Sequence, residues 1–128
     1  MSNKSKGSSF EQFFGNLLAH NGYWAHVLQD NRNGQPFDVF ATKDDTPYAF
    51  DCKECESDRF QLNRMESNQI SAMNRWIETG NNNAYFAIRF DKTYNIYVVP
   101  FRELISRRLA GISSITESEI KRISEAWF

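Results

Sequence analysis

Tyr48 to Glu56 reads YAFDCKECE: an apolar opening, then an acid, a thiol, a base and two more acids around a second thiol. Side chains alternate across a strand, so Asp51 and Lys53 share one face while Phe50 and Cys52 point into the opposite layer. A strand that starts apolar and ends charged leaves a core for a working edge. Working upstream, Lys43 to Pro47 predicts a hairpin turn and Phe37 to Thr42 its partner strand. Asp30 to Pro36 (DNRNGQP) is dense in turn formers, and Tyr23 to Gln29 predicts a first strand. Phe10, Phe13, Phe14, Leu17 and Leu18 recur at helical spacing, predicting a helix over 9–21 closed by Gly22, with Ser8 and Glu11 in capping-box register.

Downstream, Ser57 to Asn63 is irregular. Ile70, Met73, Trp76 and Ile77 mark the buried face of a helix over 64–79, stopped by Gly80. Ala84 to Phe90 and Asn95 to Phe101 form a hairpin around Asp91 to Tyr94. Phe101 to Ala110 is amphipathic, and Thr116 with Glu119 opens a last helix reaching Trp127 and Phe128. Helices before and after a strand block predict an α/β fold, a mixed central sheet flanked by helices.

The 128 residues fit one domain, with residues 1–9 as a flexible polar tail and 10–128 folded. Aromatics make up 15% of the chain, enough to build a core. No apolar run approaches the ~20 residues that cross a bilayer, and the first residues lack a secretion signal, so a cytoplasmic protein with no membrane partner is expected. Fifteen Lys and Arg against 16 Asp and Glu exclude a binder that works by bulk positive charge, so any nucleic-acid site is local.

If the hairpin sets Asp38 opposite Asp51, two carboxylates converge beside the Lys53 ammonium. Like charges at close range repel, and a divalent cation relieves them. Hard oxygen ligands suit Mg²⁺ or Mn²⁺, which acidifies water and stabilises charge on a phosphoryl oxygen. The plainer alternative makes Asp38 a turn residue and the Asp51 and Lys53 pair a solvated strand edge.

Asp38, a short hairpin, then Asp51-Cys52-Lys53 resembles the core of the PD-(D/E)xK nucleases. Flanking residues are similar to the RecU-type Holliday junction resolvases. These are Gly7-Ser8-Ser9-Phe10-Glu11, Phe50-Asp51-Cys52-Lys53-Glu54, Phe60-Gln61-Leu62 with Gln69-Ile70 and Met73, and Ile96-Tyr97-Val98-Val99-Pro100 with Leu104. The resemblance covers residues 7 to about 105 and implies a restriction-endonuclease-like core. It makes Asp38 and Asp51 metal ligands, Glu11 a third acid projecting toward the metal, and Lys53 the catalytic lysine. Gln69 would orient water, Lys53 or a phosphate. Against this, Glu11 also fits a helix cap and Gln69 an exposed helix position.

Phe37 breaks the Pro-Asp dipeptide, and the span from Gln29 to Asp38 leaves no room for the projecting stalk of these resolvases. The implied activity is a Mg²⁺- or Mn²⁺-dependent DNA endonuclease selective for branched structures. Two opposed cuts imply a homodimer, with Trp127 and Phe128 either in that contact or packed in their own domain. The alternatives are another nuclease of the superfamily, such as a phage or mobile-element nickase or a restriction-type enzyme, and a catalytically silent module binding DNA or protein. Arg59, Arg64, Arg75, Lys4 and Lys6 are the candidate DNA contacts. Cys52 and Cys55, three apart on a strand, face opposite sides, which disfavours a zinc site with His20 and His26.

Overall fold

The computed structural model describes residues 3–29 and 35–128, with 3–8 as backbone alone. In chain order the elements are α1 (Asn3–His20), β1 (Trp24–Val27), β2 (Val39–Lys43), β3 (Thr46–Cys55) and β4 (Arg59–Gln61). A 3₁₀ turn (Leu62–Arg64), α2 (Ser67–Glu78), β5 (Ala84–Phe90), β6 (Asn95–Pro100), α3 (Phe101–Leu109), β7 (Ser114–Thr116) and α4 (Glu117–Ile123) complete the chain. Five strands form a mixed sheet in the order β1-β2-β3-β5-β6, in which only β3 and β5 run parallel. The α/β sheet with flanking helices is therefore as expected.

The sheet has two apolar faces. Phe10, Phe14 and Leu18 of α1 cover one, against Val39, Ala41, Phe50, Tyr85 and Val98. Met73 of α2, Phe101 and Leu104 of α3 and Ile120 of α4 cover the other, against Ala49, Phe86, Ile88 and Phe90. Helix α1 lies so close to β1 that a Cβ on Gly15 would sit 2.7 Å from Val27 Cγ2, so no larger residue fits there without a shift. The β2–β3 hairpin turns on Asp44 and Asp45, both in the left-handed region at φ 52° and 62°. That matches a two-residue turn whose twist suits the flanking strands, and short acids tolerate it better than branched residues.

Several boundaries differ from those expected. Helix α1 starts at Asn3, so most of the anticipated tail is helical and Ser8 lies inside a helix instead of capping one. Nothing in Asn3 to Ser9 breaks a helix, since it holds no proline and its one glycine is tolerated. Helix α2 begins at Ser67, where Glu66 and Gln69 form a reciprocal capping box. Strand β6 stops at Pro100, which opens α3 directly. Helix α4 ends at Ile123 because Ser124 is extended and Glu125 bridges to Val98. Beyond it, Trp127 stacks on Tyr23 and meets Tyr48, Phe50 and Tyr85 edge-on, so this indole packs within its own domain. Phe128 reaches Phe14 at 6.2 Å between centroids while keeping 54% of its surface exposed. The stretch expected to be irregular contains β4, which pairs with β7 as a separate two-stranded ribbon. Of the loop at 30–36, residues 30–34 lie outside the described residues.

Candidate active site

Asp38 precedes β2 by one residue and is fixed through its backbone on both sides. Its N–H donates to the Phe50 carbonyl at 3.0 Å, and its carbonyl accepts from Leu28 N–H at 2.9 Å. The β2–β3 ladder closes at Val39 and Phe50, which sets Asp38 beside Asp51. Its side chain then extends the pairing: Oδ2 accepts the Cys52 N–H at 2.7 Å, where a further strand carbonyl would otherwise be needed. Oδ1 accepts from Gln35 Nε2 at 3.3 Å. Asp38 is thus oriented by two donors.

Asp51 is different. It is 1% exposed, the one buried charged residue among those described, and it sits level with Phe86 on the central strand pair. No donor reaches either of its carboxylate oxygens among the described residues. Burial lifts its pKa well above the usual carboxylate range. The neighbouring Asp38 carboxyl, close enough to share a proton and adding its own charge, lifts it further; Lys53 opposes this and Glu11 adds slightly. A charge at that depth needs a compensating partner, and a shared proton or a cation would supply one. Two converging carboxylates, one of them buried without a donor, fit a hard divalent ion such as Mg²⁺ or Mn²⁺.

Lys53 follows on the same strand face, half-buried, and lines an open cleft of about 530 Å³ with Arg59, Gln61 and Arg64. Glu11 stands on α1, over the other face of the sheet. Among the described residues no three His, Cys, Asp or Glu side chains gather tightly enough to hold a metal, so Glu11 does not complete a ready triad. Gln69 accepts the Glu66 N–H through Oε1 at 3.0 Å, which commits that oxygen to capping α2.

The candidate DNA contacts divide in the same way. Arg59 and Arg64 line the cleft. Arg75 lies in the last turn of α2 and does not line it. The side chains of Lys4 and Lys6 fall outside the described residues. Cys52 packs on the α1 face and Cys55 in the opposite cluster, as strand alternation requires, and His20 and His26 are both exposed. Burial, with the Asp38 and Asp51 charges, pushes the Cys52 thiol well above its ordinary pKa, which leaves it a poor metal ligand. Sequence reasoning missed Gln35, the donor to Asp38. Its only signal was an amide beside the Pro36-Phe37-Asp38 turn.

The five-stranded mixed sheet and its flanking helices define a class, the α/β folds with a restriction-endonuclease-like core. The chain belongs to the RecU family: the model described as Recombination protein U matches residues 35–127. In overall fold it is similar to Hjc, a Holliday junction resolvase from the archaeal hyperthermophile Archaeoglobus fulgidus, with a TM-score of 0.65 and 18% identity over 91% of this chain and 90% of that one. Among curated proteins none matches.

Proposed function

We propose that the protein is a metal-dependent DNA endonuclease selective for branched structures, a Holliday junction resolvase that hydrolyses phosphodiesters with water. The observation that carries the site is Asp51, buried with no donor to either oxygen among the described residues, beside an oriented Asp38 and on one strand face with Lys53. Asp38 and Asp51 would hold Mg²⁺ or Mn²⁺, which when bound supplies water of lowered pKa and a positive charge for the phosphoryl oxygen. Lys53, at the cleft wall, neutralises charge developing on the phosphate and orients the attacking water. Glu11 adds negative field from α1. Gln69, its oxygen tied to the cap, offers its amide nitrogen alone to a phosphate. Arg59 and Arg64 position the backbone in the cleft, with Arg75, Lys4 and Lys6 as outer contacts. Residues 10–128 act as the single nuclease domain.

No helix among the described residues is long and apolar enough to cross a membrane, and the reading places the protein with DNA in the cytoplasm. Two cuts on opposed strands call for a homodimer. The test is cleavage of a four-way junction, a nicked duplex and a linear duplex with Mg²⁺, Mn²⁺ or EDTA, with sedimentation of the free protein. Metal-dependent cutting that favours the junction, made by a dimer and lowered about 10²- to 10³-fold in Lys53→Ala, is expected. A monomer cutting linear duplex as fast as the junction would favour a nickase or general endonuclease. Junction binding with no cutting under any metal would favour a silent module.

A further inference from the structure

We propose that the tip joining α3 to β7 is a second DNA-contacting element, resting on the nuclease reading above. In it Leu109 and Ile112 pack against base faces exposed at a branch point, while Arg108 and Arg59 hold the flanking phosphates.

Leu109 is 81% exposed and Ile112 44%, two aliphatic side chains set on water within four residues. They are held in a defined turn. Gly111, at φ 90°, donates to the Arg108 carbonyl at 3.0 Å, and Ile112 N–H donates to the Arg107 carbonyl at 3.1 Å. This is the Schellman closure, in which the residue after the glycine usually folds back onto an apolar helix position. Here that position is Arg107, whose guanidinium is taken by Glu103 and Glu119. Ile112 therefore stays partly outside.

The charges around the tip have a common arrangement. Arg59 Nε donates to Ser114 Oγ at 2.9 Å, Arg108 Nη1 to the Met65 carbonyl at 2.6 Å and the Leu62 carbonyl at 3.3 Å, and Arg64 to the Glu54 carbonyl. The oxygens holding these three are neutral, so the guanidiniums are fixed in place and keep their charge. Arg89, Arg107 and Arg122 are instead matched to carboxylates. Guanidinium groups thus run from the cleft wall to the tip, with Glu54 and Glu56 beside them in the cleft and Glu119 in the hollow beside Ile112. Arg59 joins the two ends, since it lines both the cleft that holds Lys53 and a smaller hollow of about 250 Å³ that holds Ile112.

An occupant that meets fixed arginines and then bare aliphatic groups carries anions at its rim and flat apolar faces at its centre. Nucleic acid whose bases are unstacked answers to that description, and aliphatic wedges against base steps are an established use of Leu and Ile. Intact linear duplex offers the phosphates alone. Two side chains are too few for the core of a protein interface.

The test measures binding in EDTA, where no cutting occurs, to a four-way junction and to linear duplex, with 2-aminopurine at the branch point as a stacking reporter. Leu109→Ser with Ile112→Ser is expected to lower junction affinity about tenfold and linear-duplex affinity far less, and to abolish the 2-aminopurine rise. Arg108→Gln is expected to weaken both and to cut the slope of log K against log salt by about one. Thermal melting checks each fold, and Leu109→Ala alone serves if the double variant melts low. Equal losses on the two DNAs, or an unchanged 2-aminopurine rise, overturn the proposal. So does unchanged junction affinity with loss of binding to phosphatidylserine vesicles, which points to a lipid surface. A wild-type protein that binds neither DNA overturns the nuclease reading as well, whereas a cutting wild type with an indifferent tip variant overturns this inference alone.

Discussion

Glu117 and Asp51 are both carboxylates against the same sheet, and their surroundings are opposite. Glu117 Oε2 accepts from Tyr97 Oη at 2.7 Å, Thr93 Oγ1 at 2.9 Å and Asn95 Nδ2 at 3.0 Å, tying the start of α4 to the β5–β6 hairpin. Slight burial pushes its pKa up, but the three donated bonds outweigh this and hold it below the usual range. Asp51 has no donor among the described residues and a strongly raised pKa. Among the described residues, the fold gives donors to the acid that fastens two elements and none to the acid proposed to hold a cation. On the proposed reading, the contrast in donors separates the two acids more sharply than their charge does.

The largest effect should come from ending the contrast at Asp51. Asp51→Asn is expected to drop cleavage to background while raising the melting temperature of the metal-free protein by a few degrees above the pH at which Asp51 ionises, because a buried acid that must there carry a charge has gone. Melting in EDTA beside a junction cleavage assay checks both halves, and a variant that cuts normally would remove Asp51 from the site. The pH dependence has a definite sign. Asp51 has a raised folded pKa, so its stabilising contribution is full in acid and fades as pH rises through that pKa. Asn at this position should flatten that fall.

Glu117→Gln should act at the other end of the pH scale and more weakly. Its lowered pKa gives stability that is present above the ordinary carboxylate range and lost as pH falls through the folded value. The variant should cost about 1 kcal/mol at neutral pH after solvent screening, lose the acid-side fall, and leave cleavage near wild type. Urea unfolding across the pH range reads this directly. A large loss of cleavage in Glu117→Gln would break the division between fastening and functional acids.

The smallest effects belong to the cysteines. Cys55→Ser keeps a donor for the Arg59 carbonyl that Cys55 Sγ meets at 3.0 Å, and Cys52→Ser costs on the order of 1 kcal/mol by burying a hydroxyl. Both should retain cleavage within a few-fold, as read in the junction assay. Zinc at one equivalent, lost together with activity in either variant, would contradict the placement of the two thiols on opposite faces.

Much of this was legible in the sequence where a local rule coincided with the tertiary one. Alternation in β3 put Asp51 and Lys53 on one face, and the turn-forming Lys43 to Pro47 brought Asp38 beside them. Thr116 caps α4 as its spacing to Glu119 indicates, accepting that N–H at 3.2 Å. The β4–β7 ribbon was not legible. Each strand has three residues, too few for periodicity, and Arg59 and Ser114 lie 55 residues apart. Ser8 and Glu11 mimic a cap, but the signal competes with a helix-tolerant segment before it. Gln69 showed the converse: its capping partner Glu66 is acidic, so the Ser/Thr pattern that reveals a cap was missing. That no described residue donates to Asp51 depends on every element packed around it, and no local pattern encodes it.

The parallel pairing of β3 with β5 carries a kinetic consequence. Asp38 and the Cys52 amide it binds are 14 residues apart across a tight turn, whereas Glu54 and its partner Arg89 on β5 are 35 apart, with β4, the 3₁₀ turn and α2 between them. A hairpin closes in about 1–10 μs, while the longer crossover must first meet a larger loop-closure entropy. The two aspartates therefore meet early, while water still surrounds them and their repulsion is screened. The dry environment that makes Asp51 costly arrives only when β5 docks. Conditions that weaken that repulsion, such as acid or a divalent ion, should then accelerate the docking step and leave the hairpin step unchanged.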